Sequence, residues 1–109
     1  DHVFAVVRQD FRRYHVFDVP VEGKRREIAL LETRSGTARL RAGDGFVALA
    51  IHGVGKKEPP QLVLLDTAGA CPPHDLKPMK LASSPFRVHG HHLFVDRDEG
   101  IEVVRWGAP

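Results

Sequence analysis

The stretch that most constrains this chain is residues 45–67, GFVALAIHGVGKKEPPQLVLLDT. It holds two apolar runs, FVALAI at 46–51 and LVLL at 62–65, around a polar connector. Runs of four to eight such residues, bounded by Gly and Pro, suit strands buried on both faces. Periodicity alone does not separate them from a buried helix; their length does, because helices usually need ten or more residues. The connector at 52–61 carries two glycines, two lysines and a Pro-Pro pair. Proline has no amide hydrogen for a ladder, and the residue before it avoids the helical region. The connector is therefore a loop, and the two runs pair antiparallel across it.

Two other parts of the chain have the same shape. HVFAVV at 2–7 is followed by a polar break and YHVFDV at 14–19, and HLFVDR at 92–97 is followed by Asp98-Glu99-Gly100 and IEVVRW at 101–106. First strands begin near Val3, Phe46 and Leu93, spacings of 43 and 47; second strands align at Phe17, Leu65 and Val104, spacings of 48 and 39. A recurrence of roughly 40–50 residues with several strands per unit is the signature of propeller blades. Phe17-Asp18-Val19 and Leu65-Asp66-Thr67 also end alike, while Val104-Arg105-Trp106 loses the Asp.

These hairpins resemble those of the β-propeller repeat proteins. The resemblance covers most of the chain. It implies strands ordered inner, middle, middle, outer, starting here at a second strand and stopping at a third, about two and a half blades. Closed propellers have four to eight blades, so the remaining strands are expected from another segment of a longer parent or from another chain. Without them the expectation is a small β-sandwich or barrel. The WD-repeat subfamily wants an early Gly-His and a closing Trp-Asp; Gly90-His91 occurs once and Trp106 precedes Gly107. That subfamily is not assigned and no functional residues carry over.

The rest of the chain reads as short strands too. Strands are expected at 28–32, at 37–42, at 77–82 as an edge strand because of Pro78, and at 86–89, with Gly90 a bulge before 92–96. In TARLRA, Ala38, Leu40 and Ala42 alternate with Arg39 and Arg41, a half-exposed strand. Gly43-Asp44-Gly45 is a tight turn and 68–76 a loop. Ten short strands and no convincing helix give an all-β, antiparallel class. The 109 residues make one β domain, 1–109, expected as a segment of a larger propeller.

The charge balance is +2, with residues 1–57 carrying 11 Lys/Arg against 7 Asp/Glu and residues 58–109 carrying 5 against 7. A solvated face explains this bias more simply than an acidic partner. Cys71 is the single cysteine, so no internal disulfide exists, which favours a reducing, cytoplasmic compartment. No run approaches the ~18 apolar residues of a membrane span.

Seven histidines are present. On an extended strand His89 and His91 share a face, so a zinc ion held by His89, His91 and His92, completed by His52 or Asp96, is one reading; a row of solvated imidazoles is the simpler one. GVGKK at 53–57 fails the P-loop pattern in spacing and context. Arg8, Arg12, Arg13, Lys24, Arg25 and Arg26, with Phe11 and Tyr14 interleaved, suit phosphates and bases, but the net charge is low for a dedicated nucleic-acid binder. Ser35, Ser83 and Ser84 lie in no nucleophile elbow, and Cys71 near His74 reads as an inert loop thiol.

The expectation is a non-catalytic protein-interaction or scaffold module built from propeller-like repeats, needing no cofactor and belonging to an oligomer or complex. Its partner would meet loops 8–13, 52–60 and 96–100, with Arg12, Arg13, Lys56, Lys57 and Arg97 as contact residues. The alternatives are a His-rich β-domain binding metal or a small ligand, and a small basic subunit associated with RNA.

Overall fold

Residues 46–51 form a strand because apolar partners meet them on both sides. The computed structural model describes residues 2–9, 13–32, 36–53, 60–79 and 85–107. Among these are ten strands: β1 (His2–Arg8), β2 (Arg13–Pro20), β3 (Arg26–Glu32), β4 (Gly36–Ala42), β5 (Phe46–Gly53), β6 (Gln61–Asp66), β7 (His74–Leu76), β8 (Phe86–His89), β9 (His92–Arg97) and β10 (Gly100–Arg105). The described residues contain no helix, hence none long and apolar enough to cross a membrane.

The strands make three antiparallel meanders in chain order: β1-β2-β3, β4-β5-β6-β7 and β8-β9-β10. Among the described residues the sheets stay separate and close into no barrel. The middle sheet lies between the other two. Phe46, Ala48, Ala50, Leu62 and Leu64 face one way, into a core with Phe86, Leu93 and Val95. Val47, Leu49, Ile51, Val63 and Leu65 face the other way, into a core with Tyr14 and Val16. All ten of these β5 and β6 side chains are at most 2% exposed. Each large one is worth about 1.5–3 kcal/mol of burial, so this hairpin is the centre of stability.

Strand directions follow from what meets at one end. Phe4 near the start of β1, Asp18 near the end of β2, Arg26 at the start of β3, the β4–β5 turn and the end of β6 surround a single groove. The Asp44 N–H donates to the Gly90 carbonyl at 2.9 Å and the Trp106 N–H to the His91 carbonyl at 2.7 Å, which brings the start of β9 and the end of β10 to that same end. So β1, β5 and β9 run one way, and β2, β6 and β10 the other.

Three local expectations change. The strand expected at 77–82 forms earlier, at His74–Leu76. Pro78 has no N–H for a ladder, and the carbonyls of Lys77 and Pro78 accept from the Arg97 guanidinium at 2.9 and 2.7 Å instead. Residues 80–82 lie outside the described residues. β3 starts two residues before 28, because a bulge shifts its register where Val16 pairs with Ala29 and Phe17 with Glu27. Gly90 is no bulge: with φ +61° it occupies the first central position of a two-residue turn whose flanks, His89 and His92, pair.

Candidate interaction surfaces

The turn end is tightly knit. A Cβ on Gly43 would collide with Phe46 and Val88 and sit 2.8 Å from the Gly90 carbonyl oxygen, so only glycine lets the β4–β5 and β8–β9 turns approach. Gly45 takes φ +86°, a geometry L side chains rarely adopt. The Asp66 carboxylate accepts from the N–H groups of Ala68 and Ala70 at 3.0 Å and Cys71 at 3.1 Å. These bonds, Ala68's first, hold its carboxyl below the usual aspartate range. Asp18, the matching residue of the first meander, is buried and lies 3.6 Å from the Arg26 guanidinium, which also donates to the Thr67 carbonyl. Asp18 and Arg26 line the groove of about 560 Å³ between the first two sheets.

The histidines do not gather. His89 ends β8, His91 sits in the turn and His92 begins β9, so His89 and His91 are not on one extended strand as expected. His91 Nε2 is 3.9 Å from Asp44 Oδ2, and the His92 ring tilts against Phe94 with centroids 6.2 Å apart. His52 and Asp96 lie toward the opposite ends of their strands from Phe46 and His92. Among the described residues no group of three or more His, Cys, Asp and Glu side chains is placed to hold a metal ion. Cys71 is a free, exposed thiol.

The strand ends that bracket the three hairpin loops share the other end of the stack. Arg13 opens β2 there, exposed and opposite Glu32. Arg12, Lys56 and Lys57 lie outside the described residues, as do Ser35, Ser83 and Ser84. Arg97 is drawn inward. Its side chain is 9% exposed; it donates to Glu102 Oε1 at 2.8 and 2.9 Å as well as to the two carbonyls already named. It ties the β7–β8 connection to the third meander. Arg39 is half-buried and Arg41 exposed, and both guanidinium groups lie over the Phe86 ring, at 5.0 and 5.5 Å. Burial, and secondarily Arg41, lowers the Arg39 pKa.

The surfaces that sequence reasoning missed are the two outer faces of the stack. On the first sheet Val3, Val7 and Leu30 are 63%, 47% and 47% exposed; on the third, Ile101 and Val103 are 59% and 54% exposed. Val103 pairs with the half-buried Phe94 on that outer face. The signal is in the sequence: VFAVV and IEVV are apolar at both parities, which a strand with one solvated face does not need.

No protein-family model matches the sequence, and no curated protein or solved structure was found to match it.

Proposed function

We propose that this chain is a non-catalytic protein-interaction or scaffold module, built from propeller-like β repeats and working within a larger assembly. The observation that carries the reading is the set of exposed aliphatic side chains on both outer faces. Stacked-repeat proteins need terminal units with polar outer faces to stay soluble alone; here both terminal sheets carry exposed Val, Leu or Ile, on the third sheet beside Arg87, Asp96 and Arg105. Large aliphatic side chains left exposed on an outer sheet face are a feature of contact sites. The rigid, doubly buried middle hairpin supplies the frame.

The test is binding of an environment-sensitive apolar dye to the dilute, folded chain. The reading expects dye fluorescence that falls in both Val3→Lys and Ile101→Lys, with the melting curve preserved. A chain that binds no dye at any dilution contradicts it. A chelator that lowers the melting temperature by several degrees would favour the metal-binding alternative, and oligonucleotide binding that weakens steeply with salt would favour the RNA alternative.

A further inference from the structure

Thr67 and Trp106 hold the same place in successive meanders. Each lies two residues beyond a residue packed toward the preceding sheet: Leu65, opposite Val47, and Val104, opposite Leu93. Each donates its backbone N–H to the carbonyl just before the paired strand, Thr67 to Gly45 at 3.2 Å and Trp106 to His91 at 2.7 Å. From this place the Trp106 ring stacks on Phe46 of the preceding sheet. The residue of the first sheet that matches Phe46 is Phe4, since Phe46 pairs with Asp66 and Phe4 with Asp18. Toward Phe4, however, the second sheet brings the small Thr67 where the third brings an indole. The groove of about 560 Å³ opens at this point, with Phe4, Asp18, Arg26, Asp44, Gly45 and Thr67 on its walls. Its polar groups differ from those of the later repeat as well. Asp66 uses its carboxylate on its own turn, beginning with the Ala68 N–H. The position matching Ala68 is Pro20, which has no N–H to give. The Asp18 carboxylate lies instead on the groove wall, 3.6 Å from the Arg26 guanidinium, and Asp44 adds a second carboxylate from the middle sheet.

We propose that this groove binds a small planar heteroaromatic molecule of the size of indole, seated against Phe4 with a ring N–H directed at the Asp18 and Asp44 carboxylates. Trp106 is the internal template: the same backbone frame, one meander later, holds an indole against a phenylalanine. The charges select the donor. Two carboxylates stand against one guanidinium, which suits a ring that donates and has no acceptor of its own, and disfavours an anion. The volume lies within the range of small-ligand clefts. The inference goes beyond the scaffold reading and does not depend on it.

The experiment is a titration of the whole chain with indole, followed through the backbone amide resonances, for wild type and for Thr67→Trp. In wild type, indole is expected to shift Phe4, Gly45 and Ala68 selectively, with a dissociation constant of roughly 1 mM. It is expected to bind several-fold more tightly than benzofuran, which has the same shape and no N–H. Thr67→Trp is expected to fill the groove from within, so that indole no longer shifts these resonances. Should that variant lose its cooperative melt, Thr67→Phe replaces it. Shifts scattered outside the groove, equal binding of benzofuran, or undiminished indole binding in the folded variant overturn the proposal. So does a capped Gly-Trp-Gly peptide that binds more tightly than indole, which would make the occupant a tryptophan of a partner protein instead of a free ring.

Discussion

The rings of Trp106 and Phe46 stack with centroids 5.5 Å apart and planes 21° from parallel. This contact fixes the end of the last described strand to the first residue of the doubly buried hairpin. The Trp106 N–H, bonded to the His91 carbonyl, holds the indole in place. Trp106 is half-buried, so Trp106→Ala is expected to cost about 2–3 kcal/mol, below the ~3–5 of a fully buried aromatic. Urea unfolding of wild type and variant by circular dichroism measures it, and an unchanged midpoint counts against the contact.

Gly43 marks the closest approach of two turns. Gly43→Ala is expected to destabilise by about 1–3 kcal/mol through overpacking. The Phe46 and Val88 side chains have some freedom to yield, but the Gly90 carbonyl is backbone. Gly23→Ala provides a comparison, because a Cβ there meets only Pro20 Cγ at 3.8 Å and its cost is conformational, from φ +104°. Thermal melts that rank the two variants alike, with no broadening or shift for Gly43→Ala, would contradict the space argument.

Asp66 organises the turn after β6 through three backbone N–H groups. Asp66→Asn is expected to lose roughly 1 kcal/mol at neutral pH. The carboxyl's pKa is lowered in the folded state. Its stabilising contribution is therefore complete above the unfolded value of about 3.9 and is lost as pH falls through the folded-state value. The stability gap between wild type and Asp66→Asn should accordingly shrink on acidification below about pH 4. Denaturant midpoints taken across that range settle it; a gap that widens in acid would be inconsistent.

Arg97 acts through shape as well as charge. Its fork reaches Glu102 and two carbonyls that no strand partner takes. Arg97→Ala is expected to cost about 2 kcal/mol. Arg97→Lys should restore less than half of that, since an ammonium keeps the charge and loses the planar fork. Full rescue by lysine would reduce the site to a simple ion pair.

The hairpins were legible because burial on both faces leaves continuous apolar runs, and nine of the ten expected strands lie where the sequence puts them. Of the aligned residues Phe17, Leu65 and Val104, Leu65 packs toward the first sheet and Val104 toward the second. The strand at His74–Leu76 was hidden by the prolines around it. The fate of the Lys77 and Pro78 carbonyls depends on Arg97, twenty and nineteen residues away, which no local pattern reports. The His89–His92 run reads equally as a strand or a turn until Gly90 adopts positive φ. Arg39 and Arg41 alternate with Ala38, Leu40 and Ala42 as a half-exposed strand does, but their contact with Phe86, more than forty residues on, is written in no local pattern.

The central claim is that three meanders stack in chain order with β5 and β6 sealed between the others. Hydrogen exchange of backbone amides, read residue by residue at neutral pH, tests it most directly. The account predicts the slowest exchange in Phe46, Val47, Ala48, Leu49, Ala50 and Ile51 and in their partners Leu62, Val63, Leu64 and Leu65, because these strands are paired on both edges and covered on both faces. It predicts faster exchange along β1 and β10, each paired on one edge. Slowest exchange in β1 or β10, or protection spread evenly over all three sheets, would contradict the stacking order.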